Sequence, residues 1–175
     1  MLDDFSLLSI QYPEKEISLE NDELKLVERT INDARTLIAK KDFRGAINIL
    51  KQSYNENNKR TDIALYLIKY YMKLKNYKES AKICKEILSK NEFSTDIIFK
   101  LSYCLKMNHE FNEAIELAER VKLREPNNVR NLIHLADMYF AMDNQNRGLK
   151  LLNKVLSKEP ENKNALKMKE IVSKK

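Results

Sequence analysis

The chain predicts an all-α solenoid of antiparallel helix pairs, and three observations carry that prediction. First, it repeats in steps of 34: Pro126 and Pro160, the aromatics Phe43, Tyr77 and Phe111, the series Leu37, Tyr71, Leu105 and Tyr139, and the small residues Ala46, Ser80, Ala114 and Gly148 all keep that interval. A fixed period of this length marks stacked supersecondary units, none of which can bury its apolar face alone. Second, with Gly 2 and Pro 3 the chain lacks the turn residues that sheets need. Third, apolar residues within each unit recur at helical spacing, on two successive stretches.

The elements follow in order. Residues 1–20 form an acidic and apolar leader, docked or disordered. Four units cover about 21–60, 61–94, 95–128 and 129–162. The first helix is expected from about Asn21, because Leu24, Val27, Ile31, Ala34, Leu37 and Ile38 keep one stripe. Thr61 and the pair Ser94–Thr95 suit the starts of first helices. In the second unit Ala64, Leu67, Ile68 and Tyr71 mark one helix face, and Tyr77, Ala81, Cys84, Ile87 and Leu88 mark the next. Asn76 with Glu79 three residues on resembles a capping box. Residues 163–175 read as one short closing helix with Ala165, Met168 and Val172 on a face and lysines elsewhere, a polar-backed cap.

Composition bounds the function. The 43% hydrophobic content suffices for a core. The net charge of +6 is uneven: residues 1–26 hold seven acids and two lysines, and the basic excess lies in the rest. Cys84 and Cys104 lack metal-ligand spacing and sit in apolar helical stretches, as buried reduced thiols do in a reducing compartment. No basic start with a long apolar run opens the chain, and no stretch is apolar enough to span a membrane, so a cytoplasmic location is expected. Glycines only at 45 and 148 exclude a phosphate loop, and no nucleophile–base pair, zinc spacing or calcium loop is present. No enzyme activity, cofactor or metal is therefore expected.

The repeated residues resemble the tetratricopeptide repeat family over about residues 24–172, as some four repeats and a C-terminal capping helix. The fourth unit supplies Leu132, Leu135, Ala136, Tyr139, Gly148, Leu152, Val155 and Pro160, and the third Ile98, Leu101, Ser102, Leu105, Phe111, Ala114, Ala118, Val121 and Pro126. The second supplies Ala64, Leu67, Tyr71, Tyr77, Ser80, Cys84 and Ile87, with Glu92 where proline is expected. The first unit departs, with Thr30 and Asp33 at apolar positions, and Gln145 replaces an aromatic in the fourth. The resemblance implies a right-handed superhelix whose first helices line a concave face.

Carried onto this sequence, the partner-binding candidates are Ile31 and Arg35; Leu65, Tyr66, Lys69, Met72 and Lys73; Phe99, Lys100, Tyr103, Lys106 and Met107; and Arg130, Ile133, His134, Asp137 and Phe140. Large apolar residues alternate with lysines there, which reads as a groove for a peptide or helix with apolar anchors and acidic flanks. The alternative is that they pack between successive first helices. The carboxylate clamp of heat-shock co-chaperones is not matched, either by Ile31 and Arg35, then Tyr66, then Asp96 and Lys100, or one unit later by Leu65 and Lys69, then Lys100, then Arg130 and His134. The expected function is a non-enzymatic adaptor or scaffold in a bacterial assembly, binding another protein. A chaperone for an exported or aggregation-prone subunit is the alternative. RNA binding ranks below both, because lysines dominate and arginine-rich stacking surfaces are missing. The leader (Asp3, Asp4, Glu14, Glu16 and Glu20 among Leu2, Phe5, Leu7, Leu8, Ile10 and Tyr12) complements the groove, so self-association through residues 1–20 is a further expectation.

Overall fold

The computed structural model describes residues 14–57, 60–90 and 94–173, with side chains from residue 22 onward. The described residues are helices α1 Glu14–Ala39, α2 Phe43–Glu56, α3 Thr61–Lys73, α4 Tyr77–Lys90, α5 Thr95–Met107, α6 Phe111–Arg124, α7 Val129–Ala141, α8 Gln145–Lys158 and α9 Lys163–Ser173, with short turns and no strand among them. They group into two compact units, Met1–Ile63 and Ala64–Lys175. The helix α1 begins at Glu14, ahead of the start near Asn21 that its apolar stripe suggests.

In the first unit α1 and α2 pack through Val27 and Ala34 against a face carrying Ala46, Ile47, Leu50 and Tyr54. The two polar departures from the repeat pattern sit where water tolerates them. Asp33 is exposed, and the half-buried Thr30 hydroxyl donates to the Leu26 carbonyl at 3.0 Å.

The second unit is held by its apolar interior. Leu67, Ile68, Ile98, Leu105, Leu132, Leu135, Met138 and Leu152 are all buried. Each such side chain is worth about 1.5–3 kcal/mol, against roughly 0–1 for an exposed ion pair such as Lys85–Glu113 at 2.9 Å. The core decides stability. Small residues set the helix spacing: Ser80, Ser102, Ala114, Ala118 and Ala136 are buried, and Gly148 leaves room for a ring. A Cβ on Gly148 would lie 2.3 Å from Cε1 of Phe140. The buried hydroxyls are satisfied: Ser102 donates to the Ala114 carbonyl at 2.7 Å, and Ser80 to the Ile68 carbonyl at 3.5 Å.

The turn inside each helix pair repeats as faithfully as the core. Lys41, Lys75, His109 and Asp143 all have positive φ, between 57° and 66°, and stand 34 apart. In each case the next residue's N–H reaches back to a carbonyl five positions earlier, as from Asp42 to Leu37 and from Glu110 to Leu105, both at 2.9 Å. That is a Schellman closure with a left-handed residue. In three of the four turns the same next residue then caps the second helix: Asp42 accepts from the Gly45 N–H, Asn76 from the Glu79 N–H and Asn144 from the Arg147 N–H, at 2.8, 3.4 and 3.3 Å, whereas Glu110 makes no side-chain cap bond. Two residues thus end one helix and start another.

Candidate functional site

Helices α5, α7 and α9 are neighbours in the second unit, and the 34-residue register puts α3 in the same role. The site candidates divide among them into three groups. On α3, Leu65 remains 39% exposed, Tyr66 and Met72 are half-buried, and Lys69 and Lys73 are exposed. Tyr66 stacks obliquely on Tyr70 with centroids 6.2 Å apart, and the Lys69 ammonium lies 5.9 Å from the Tyr70 ring.

Between α5 and α7 the candidates close on one another. Phe99 and His134 are only 6% and 7% exposed, which overturns their expected role as open groove residues. Their rings lie 5.2 Å apart, Tyr103 stands 5.9 Å from His134, and Tyr77 meets Tyr103 edge-on at 6.1 Å. The exposed Arg130 guanidinium covers the Phe99 ring at 4.2 Å. Aromatic contacts of this kind bind neighbouring elements together. For Phe99 and His134 the packing alternative holds.

His134 Nε2 lies 2.9 Å from Ser102 Oγ, whose single proton is committed to the Ala114 carbonyl. The histidine must therefore donate its Nε2–H to that hydroxyl oxygen. Burial, reinforced by Lys106 and Arg130 and opposed by Asp137, pushes its pKa down to about 4. The ring therefore stays uncharged near neutral pH. Two of the expected groove lysines are also engaged within the chain: Lys106 pairs with Asp137 and Lys100 with Asp96.

The third group opens outward. Ile133, Asp137 and Phe140 of α7 line a groove of about 470 Å³ with Ala141 and with Asn164, Lys167, Met168, Ile171 and Val172 of α9. Ile171 is 53% exposed. Sequence reasoning missed the α9 half, although the signal was present: 34 residues beyond Ile133, His134 and Asp137 stand Lys167, Met168 and Ile171. Arg35, exposed on α1 in the first unit, bonds Asn32 Oδ1 at 3.3 Å. The leader positions up to residue 13 lie outside the described residues.

Reactive chemistry is confined. Burial pushes the Cys84 thiol up to about 12 and raises that of Cys104, which donates to Ser80 Oγ at 3.3 Å. Among the described residues no group of three or more His, Cys, Asp or Glu could hold a metal ion, and no helix is long and apolar enough to cross a membrane.

A family model described as tetratricopeptide repeat matches residues 37–101. Over that stretch the chain is similar to the tetratricopeptide repeat family. Solved structures agree in fold. A MamA protein is 19% identical, covering 79% of this chain and 76% of that one, with TM-score 0.72. The protein YrrB, described as a tetratricopeptide repeat protein with an unusual peptide-binding site, is 16% identical over 89% of this chain and 88% of its own, with TM-score 0.73. A tetratricopeptide repeat protein from Parabacteroides merdae is 15% identical over 79% of this chain and 56% of its own, with TM-score 0.71. No curated protein matches the chain. These likenesses give the fold, an all-α solenoid of the tetratricopeptide class.

Proposed function

We propose that this tetratricopeptide repeat protein is a non-enzymatic adaptor that seats an apolar segment of a partner protein, as peptide or helix, on its first-helix face. The observation that carries the reading is the α7/α9 groove. It is lined by Ile133, Phe140, Met168, Ile171 and Val172 and edged by Asp137 and Lys167. Large apolar side chains gathered in an open groove mark a docking surface, and a few such anchors supply most of the affinity of a complex. Leu65 and Met72 on α3, with Lys69 and Lys73 beside them, extend the same logic toward the start of the unit. The lysines favour acidic flanks and act mainly on association rate. Tyr103 borders this face but works within the aromatic ladder.

The adaptor is expected in the cytoplasm. A chaperone for an exported or aggregation-prone subunit would use the same groove and differ in its partner, which would become insoluble without it. Residues 1–20, acidic and apolar, are the chain's own candidate for an internal ligand; deleting them should then raise groove affinity or change oligomeric state.

The test compares wild type with an Ile133→Asp/Ile171→Asp double variant in quantitative affinity capture from the source cells. The variant should keep its helical circular dichroism and lose the specific partner by roughly tenfold or more, as removal of anchor residues does. Retention of the same partners at the same level would exclude the groove.

A further inference from the structure

A second surface, formed mainly by second helices, carries chemistry that neither the core nor the first-helix groove uses. Helix α8 holds four cations, Arg147, Lys150, Lys154 and Lys158, and no carboxylate. Their spacing along the helix puts them on one side, where like charges repel one another. Helix α6, in contrast, intersperses Glu113, Glu116 and Glu119 with its basic residues. Packing does not require the α8 arrangement.

Between α6 and α8 lies a cavity of about 620 Å³ lined by Lys122, Arg147, Lys150 and Lys154, with Tyr139 and Leu151 as apolar wall and Glu119 as the single acid. That acid is already engaged twice, by Lys122 and by the Tyr139 hydroxyl, which donates to it at 2.9 Å. Two of the other cations are positioned by uncharged partners. The Arg147 guanidinium lies 5.5 Å from the Tyr139 ring centroid, and Lys154 Nζ donates to the Pro126 carbonyl at 2.7 Å. Lys150 is exposed beside them. The cavity therefore keeps an excess of positive charge with no internal anion to match it.

We infer that this α6/α8 cavity is a separate docking site for an acidic peptide segment, with carboxylates meeting Arg147, Lys150 and Lys154 and an apolar side chain resting on Tyr139 and Leu151. One feature favours an acidic peptide over a nucleic acid: the basic residues surround one compact cavity instead of forming a track for a continuous phosphate backbone. With the first-helix groove occupied by one partner, this site would let the protein hold a second.

The experiment uses the full chain and a fluorescent Glu-rich peptide with one central Phe. A Gln-for-Glu version of that peptide and a single-stranded oligonucleotide are run beside it. The Glu peptide should bind in low salt, and the Arg147→Glu/Lys150→Glu variant should weaken it by about tenfold or more, as expected when charge pairs become repulsive. The milder Arg147→Gln/Lys150→Gln variant guards against misfolding and should weaken it less but in the same direction. The Ile133→Asp/Ile171→Asp groove variant should bind the peptide as wild type does, which separates this site from the groove. Equal binding of the Gln peptide, no loss in either basic-site variant, loss in the groove variant, or equal competition by the oligonucleotide would each overturn the assignment.

Discussion

A histidine shut into a helix interface becomes a liability in acid. Packed on Phe99 and Tyr103 and bordered by Lys106, Asp137 and Arg130, His134 has its pKa pushed down to about 4, chiefly by burial. In the unfolded chain it takes up a proton near 6.5. Between those values the unfolded state binds more protons, so stability falls as pH falls. The contribution is fully present above about pH 6.5 and is lost toward pH 4, by up to roughly 3 kcal/mol. His134→Phe keeps a ring at the site, and Ser102 keeps its bond to the Ala114 carbonyl. Urea midpoints at pH 7.5 and 4.5 should therefore fall less in this variant than in wild type; an equal fall would show that His134 does not titrate as described. Asn131 illustrates the same economy of burial. It stands where Ile63 and Ile97 stand in earlier repeats, its amide donates to the Ala118 carbonyl at 2.8 Å, and its Oδ1 is buried with no hydrogen-bond partner.

Among elements, the helix-pair turn is the one most open to improvement. Lys41, Lys75, His109 and Asp143 hold a left-handed backbone that costs an L-residue roughly 1–2 kcal/mol and costs glycine almost nothing. Glycine gives part of that back through a more flexible unfolded chain. Lys75→Gly and His109→Gly should each stabilise the fold by about 0.5–1 kcal/mol, read as a higher denaturation midpoint with unchanged slope. No gain at either position would mean that the turns are not strained. The turns themselves were legible, since Asn76 reads as the start of a second helix, but their left-handed geometry was not, because the chain uses lysine, histidine and aspartate where glycine would have signalled it. Phe140 was likewise legible as a large apolar residue, but its contact with Gly148 depends on how two helices cross.

For the molecule as a whole, the repeat makes local damage informative. Each hairpin of a solenoid is stabilised chiefly by its neighbours, so a lesion acts where it falls. Ala114 on α6 is fully buried and lies against α5, with its carbonyl taken by Ser102. Ala114→Trp should overpack that contact and cost about 1–3 kcal/mol or more. Hydrogen exchange should show lost protection first in α5 and α6. An unchanged melting temperature, or loss confined to α9, would argue against the packing described here.

Helix number, pairing and the buried faces were legible in the chain, since a 34-residue period in residue size and polarity admits few ways to bury an apolar stripe. Leu65 and Ile133 could also be named in advance as large residues off the repeat motif. Their eventual environment could not. Whether such a side chain meets water or a neighbouring helix depends on distances of a few ångströms between first helices, and periodicity carries no information about those. The crossing of α5 and α7 enclosed Phe99 and His134, while α9 left Ile171 open beside Phe140. Pattern dictates which face turns inward; only packing in three dimensions determines where that face stops.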